Sequence, residues 1–230
     1  MAVAILRYNA GNVRSVAFAL QRLGVESILT DDPAALRAAS HVIFPGVGEA
    51  SSAMAYLRER RLDDVIRSLT QPVLGICLGL QLLCDWSEEN DTECLGIFPH
   101  RVLKFGSTSS ETRSQASSDA GSDTGSNASP GPAPRLKVPQ IGWNTVEYGS
   151  VDAGADTGSG RSLFQGIPQQ AHFYFVHSFY AEPGRDTCAV TDYGCRFSSS
   201  LARDNFYAVQ FHPEKSAEHG ARLLENFLMT

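Results

Sequence analysis

The sequence is short of the features that mark several large protein classes. No apolar run approaches the ~18–20 residues a helix needs to cross a bilayer, so a membrane role is not expected. Positive charge is not in excess. Nineteen Lys and Arg stand against 25 Asp and Glu, a net charge of −6, which disfavours an electrostatic grip on nucleic acid or anionic lipid. The N-terminus, Met1 to Arg7, has neither a basic leader region nor a small-residue cleavage site, and it reads as a first strand. Five cysteines (Cys77, Cys84, Cys94, Cys188 and Cys195) make no even disulfide framework, and their spacing matches no zinc pattern. A reducing, cytoplasmic setting with no metal and no cofactor is the simplest reading. What is present is ample apolar residue: 43% of 230 residues, enough to bury the core of one domain.

The first third alternates strand-like and helix-like runs. Ala2–Leu6 precedes a 3.6-residue periodicity in Val13, Val16, Ala17, Leu20 and Leu23 that Gly24 stops. Val25–Leu29 and Val42–Phe44 are further apolar runs. One helix is predicted over Ser51–Leu69, with Met54, Leu57, Val65 and Ile66 on its buried side, before the strand Val73–Ile76. This rhythm predicts an α/β fold with a central, mostly parallel sheet flanked by helices. Later strands are expected at Arg101–Phe105, Trp143–Tyr148, His172–Tyr180, Asp186–Val190 and Phe206–Phe211. A closing helix over Ser216–Leu228 would have Ser216 as N-cap. Between Ser107 and Pro134, 22 of 28 residues are Ser, Thr, Gly, Ala or Pro. Such a segment cannot offset its ordering entropy and predicts a disordered surface insertion; Gly149–Gly160 has the same texture. A single domain over residues 1–230 follows.

Three motifs carry chemistry. Gly75-Ile76-Cys77-Leu78-Gly79 has the form of a nucleophile between two glycines at a strand-to-helix turn. Such a turn would display Cys77 at the C-terminal edge of the sheet and near a helix N-terminus, which favours the thiolate. A small buried cysteine in a tight turn is the alternative. Gln210-Phe211-His212-Pro213-Glu214 ends a strand-like run. Period-two alternation would point His212 and Glu214 the same way, a base and the carboxylate that orients it. Pro45-Gly46-Val47-Gly48 follows the third strand. Its glycines give the backbone freedom to turn an N–H toward an oxyanion, with Leu78 supplying a second. A phosphate cradle lacks its third glycine and its lysine here, and a plain turn remains open.

Gly75–Gly79 with Gln81, and His212-Pro213-Glu214, resemble the class I (triad-type) glutamine amidotransferases. The finer likeness is to the glutaminase subunits of imidazole glycerol phosphate synthase. It is carried by Asn12–Val16, Pro45–Gly48, Met54–Arg61, Pro139–Asn144, Phe175–Ser178 and Gln210–Ser216, and spans the chain except for the two Gly/Ser-rich stretches. The resemblance implies the single-domain, flavodoxin-like fold of that family and a triad of Cys77, His212 and Glu214. It further implies an oxyanion hole at Val47 and Leu78, and a substrate pocket of Gly48, Gln81, Glu89, Ser178 and Phe179, with Glu88 the rival to Glu89. L-Glutamine would be hydrolysed through a Cys77 thioester. Ammonia would pass to a separate cyclase subunit, forming a heterodimer with Asn12, Trp143 and Lys215 on the partner-facing side. His177 is expected to shape the pocket, and His41, His100, His172 and His219 to be structural or on the surface. The insertion at 107–134 is a departure from the family pattern. A stand-alone amidase would work at full rate without a partner, and a silent scaffold subunit would ignore glutamine-mimicking thiol reagents.

Overall fold

The computed structural model describes residues 2–9, 11–106, 136–149 and 162–230. The Ser107–Pro134 segment and positions 150–160 of the second Gly/Ser-rich stretch lie outside the described residues. The strands are β1 (Val3–Leu6), β2 (Ser27–Thr30), β3 (His41–Gly46), β4 (Val73–Cys77), β5 (Cys84–Ser87), β6 (Thr92–Glu93) and β7 (Phe98–Lys104). They continue as β8 (Gln140–Tyr148), β9 (Ala171–His177), β10 (Phe179–Ala181), β11 (Thr187–Asp192), β12 (Arg196–Arg203) and β13 (Phe206–Val209). The helices are α1 (Val13–Arg22), α2 (Pro33–Ala38), α3 (Ala50–Glu59), α4 (Leu62–Arg67), α5 (Leu78–Leu83) and α6 (Ala217–Leu228).

The sheet runs β2-β1-β3-β4-β13-β12-β10-β7-β5-β6, with β11, β8 and β9 branching from β12. The first five strands in this order pair in parallel, the pairing that the alternating rhythm predicts. Beyond β13 most pairings are antiparallel, so the sheet as a whole is mixed. β1, β3, β4 and β13 are buried on both faces, which is why they read as unbroken apolar runs rather than alternating ones. Successive side chains divide between two cores. Ala4, Leu6, Val42 and Phe44 pack with α3 to α5. Val3, Ile5, Ile43, Leu74 and Ile76 pack with α1, α6 and the aromatic face of β9.

Three expectations are corrected. The single helix over Ser51–Leu69 is two helices, broken at Arg61, whose φ of 55° is left-handed. The break lets Leu62, Val65 and Ile66 of α4 reach the core, and no glycine announces it. The run His172–Tyr180 is two strands interrupted at Ser178. Ser216 stands at the N-cap of α6 but makes no side-chain cap bond. Its hydroxyl donates to the His212 carbonyl at 2.6 Å and accepts the Tyr174 N–H at 3.0 Å.

Candidate active site

The site forms where the C-terminal ends of β1, β3, β4 and β13 meet. This is the edge at which open parallel sheets bind ligands. The order β2-β1-β3-β4-β13 reverses direction between β1 and β3. The loops leaving β1 and β3 therefore diverge, opening a crevice beside the end of β4.

β4 hands Cys77 directly to α5. Cys77 has φ 56° and ψ −107°, a conformation that costs about 1–3 kcal/mol and holds only because the surroundings enforce it. The enforcement is visible at Gly79: a Cβ there would collide with the Phe44 carbonyl oxygen of β3. A side chain at Gly46 would likewise run into the Tyr8 hydroxyl and the Leu78 side chain. β3, β4 and α5 approach this closely because those positions are glycine.

His212 and Glu214 meet as the resemblance implies, by a different local route from the one predicted. β13 ends at Val209, and Pro213–Lys215 form a single 3₁₀ turn. That turn, not strand alternation, swings Glu214 back to place Oε1 2.8 Å from His212 Nδ1. Both residues are buried. The short bond to Glu214 puts a proton on Nδ1 and turns Nε2 toward Cys77. Burial pushes the His212 pKa down, but hydrogen bonding and charge at Cys77 and Glu214 outweigh it and raise it well above the usual histidine value.

Cys77 opens into a cavity of about 260 Å³, lined also by Val47, Gly48, Leu78, Gln81, Glu89, Pro139, Val176, His177, Ser178 and Phe179. All seven of the predicted oxyanion and substrate residues are there. Leu78 is the first residue of α5, whose leading N–H groups have no acceptor within the helix. Gly48, at φ 128°, holds a backbone conformation that L side chains rarely adopt. The two adjacent glutamates lie in different places. Glu89 accepts the Ala50 N–H at the start of α3 at 2.7 Å and lines the cavity. Glu88 accepts the Lys104 N–H at 2.7 Å instead. Burial raises the Glu89 pKa against the lowering effect of the Ala50 bond.

The three predicted partner-facing residues divide. Trp143 is 53% exposed and packs edge-on to Tyr174, and the Lys215 ammonium lies 6.0 Å from the same ring. Asn12 is half-buried. It sits at a left-handed φ of 75°, donates to Glu214 Oε1 and lies 3.3 Å from His212 Nδ1. It is thus bonded to the carboxylate itself.

Other site residues were not picked out from the sequence as contributors. The Tyr8 hydroxyl is buried near Gly46, and burial and then Cys77 raise its pKa. Gln210 reaches Cys77 from β13's end, with Nε2 3.7 Å from Sγ. Tyr8 belongs to no motif; Gln210 adjoins His212 but reads as an ordinary polar residue. His177 bonds through Nδ1 to the Phe179 carbonyl at 2.7 Å, and burial lowers its pKa to about 4. It is held neutral at the pocket wall. Among the described residues, no group of three or more His, Cys, Asp or Glu is placed to hold a metal ion, and no helix is long and apolar enough to cross a membrane.

Known proteins resemble this chain in sequence and in fold. The chain is similar to the imidazole glycerol phosphate synthase subunit HisH of Bacteroides fragilis, with 46% identity over 99% of both chains. It is also similar to subunit HisH 1 of Pseudomonas aeruginosa, at 41% identity over 98% of this chain and 95% of the relative. A solved glutamine amidotransferase from Thermotoga maritima shares the fold at TM-score 0.56 and 17% identity, covering 99% of this chain and 82% of that one. The model of the family described as glutamine amidotransferase class-I matches residues 6–230: the chain belongs to the class-I glutamine amidotransferases.

Proposed function

We propose that this chain is the glutaminase subunit of an imidazole glycerol phosphate synthase, acting in histidine biosynthesis. The observation that carries the reading is a buried Cys77 thiol opening into a cavity lined by Gln81 and Glu89, with a buried His212–Glu214 pair bonded at 2.8 Å close behind it. The HisH name of the relatives supports the subunit assignment.

In the proposed reaction Cys77 attacks the side-chain amide carbon of L-glutamine. The Leu78 and Val47 N–H groups receive the developing oxyanion. His212, oriented by Glu214, protonates the departing nitrogen, which leaves as ammonia. Water then adds to the γ-glutamyl thioester, giving its proton to His212, and glutamate leaves as the Cys77 sulfur is restored. Gln81 and Glu89 hold the α-amino and α-carboxyl end, with Gly48 and the backbone of Ser178 and Phe179 completing the pocket. The carboxylate of Glu89 suits the ammonium. No cofactor is required.

Ammonia is delivered to a separate cyclase subunit, which makes imidazole glycerol phosphate and an aminoimidazole-carboxamide ribotide. Trp143 and Lys215 face that partner in a cytoplasmic heterodimer. Asn12 lies between the partner side and Glu214. The test is glutamate release from glutamine, with and without a cyclase subunit and its nucleotide substrate, using Cys77→Ala as the blank. Strong dependence on both additions supports the reading. Full activity of the isolated chain makes it an independent amidase, and the partner assignments fall.

A further inference from the structure

The orientation of two buried side-chain amides can be read from one backbone carbonyl. The Phe179 carbonyl can only accept, so the group 2.9 Å from it on Gln81 is the amide nitrogen, Nε2. That same Nε2 lies 3.1 Å from the Gln210 amide. With its second N–H pointing there, it must meet Oε1 of Gln210. The other end of the Gln210 amide is then Nε2, 3.7 Å from Cys77 Sγ. The two links made by Gln210 are buried, and Gln210 is wholly inaccessible to solvent. The Cys77 thiol, for its part, is 3.7 Å from the Val176 carbonyl, a contact that serves S–H and opposes S⁻.

We propose that Gln210 is a donor to the Cys77 sulfur, and that the same amide fixes the orientation of Gln81. The nucleophile and the amide that binds substrate's amino end are then one hydrogen-bonded unit. This rests on the glutaminase reading for the role of Gln81, but the donor to sulfur stands on geometry alone. When Cys77 ionises, its contact with Val176 turns unfavourable while the Gln210 N–H contact strengthens, because charge-assisted bonds are the stronger ones. The relay also leaves Gln81 one free polar atom, Oε1, since both its N–H groups are engaged. That oxygen is the atom available to a substrate ammonium.

Two substitutions separate the roles. Gln210→Glu keeps an acceptor for Gln81 but removes the donor and puts negative charge beside sulfur. Gln210→Met removes both functions at similar volume. The readout is the rate of Cys77 alkylation by iodoacetamide against pH, followed by mass spectrometry on the isolated full chain, which needs neither glutamine nor partner. The midpoint should rise by about one pH unit in Gln210→Met and further in Gln210→Glu. In turnover assays with the cyclase subunit, Gln210→Glu should lower kcat about tenfold at a KM within about threefold of the parent. Gln210→Met should change both. A midpoint that stays put in both folded variants overturns the proposal.

Should neither variant fold, Gln81→Met decides, since it leaves Gln210 in place without the donor that orients it. A rise of a few tenths of a pH unit supports the relay, and an unmoved midpoint overturns it. A parent chain that never hydrolyses glutamine, yet shows these alkylation shifts, would sink the glutaminase reading and leave the donor intact.

Discussion

Among the described residues, two buried histidine–carboxylate pairs stand at different places in the sheet, and one of them belongs to the candidate site. His212 and Glu214 sit beyond the end of β13, with Nδ1 on the carboxylate and Nε2 turned toward a thiol. His100 and Asp186 are equally enclosed. There, however, Nδ1 is committed to the Glu182 carbonyl at 2.9 Å and Nε2 lies 3.4 Å from Asp186 Oδ2. Asp186 is also approached by Arg203 at 3.9 Å and Arg185 at 3.8 Å. The first pair keeps one nitrogen for a reaction; the second has both facing fixed partners. A pair of this kind becomes chemistry only when one ring nitrogen is spared and given a nucleophile.

The largest effect that would test this contrast is loss of the nucleophile. Cys77→Ser should lower glutamate release by at least ~10⁴-fold in the assembled enzyme, with little change in the unfolding midpoint. Next comes a matched exchange of carboxylate for amide in the two pairs. Glu214→Gln should cost roughly 10²–10⁴-fold in kcat, by weakening the hold on the His212 tautomer. Asp186→Asn should leave turnover per folded molecule within about twofold. It should instead destabilise the chain by about 1–2 kcal/mol in urea, because a buried carboxylate facing His100 and two partly exposed arginines loses its charge. Should Asp186→Asn abolish turnover at full stability, the division between reactive and structural pairs would be wrong.

Acid should expose a third histidine. Burial holds the His177 pKa near 4 against an ordinary value of 6.5. The unfolded chain therefore binds a proton there first, and stability present above pH 6.5 is lost as pH falls toward 4. The difference in unfolding free energy between pH 7 and pH 5 should shrink by about 2 kcal/mol in His177→Gln. Smallest are the hydroxyls that brace each region. Ser216→Ala frees the His212 carbonyl and the Tyr174 N–H, and should cost about 1–2 kcal/mol together with a several-fold fall in kcat. Thr187→Val, which removes a 2.8 Å contact to Ser198 near Asp186, should cost about 1 kcal/mol and no activity.

The parallel strands were legible because burial on both faces demands continuous apolar runs, and a run of Val, Ile and Leu has few other uses. β12 was not. Its sequence, Arg-Phe-Ser-Ser-Ser-Leu-Ala-Arg, looks like a polar loop, yet Ser198, Ser199 and Ser200 are all fully buried. Serine gives no signal of which side of a surface it will face. The break at Arg61 was hidden for a related reason, since the left-handed turn there is imposed by tertiary packing and not by a glycine. At the site, the elbow could be found because glycine is sterically required on both sides of Cys77. Glu214 was found through a mistaken path, because alternation along a strand and a 3₁₀ turn can each bring residues two apart together. Tyr8 and the sulfur contact of Gln210 left no trace, because what matters for them is a neighbour distant in the chain.

That distance has a consequence for how the molecule is made. Cys77 and Gln210 are 133 residues apart, and β13 occupies the place between β4 and β12. A chain emerging from the ribosome carries its cysteine long before the strand that brings the base and its carboxylate exists. Until β13 inserts along β4 the thiol has neither imidazole nor amide beside it. Assembly of the reactive centre therefore coincides with closure of the sheet. A half-made chain holds an ordinary thiol, and the chemistry begins only when the last strand is in place.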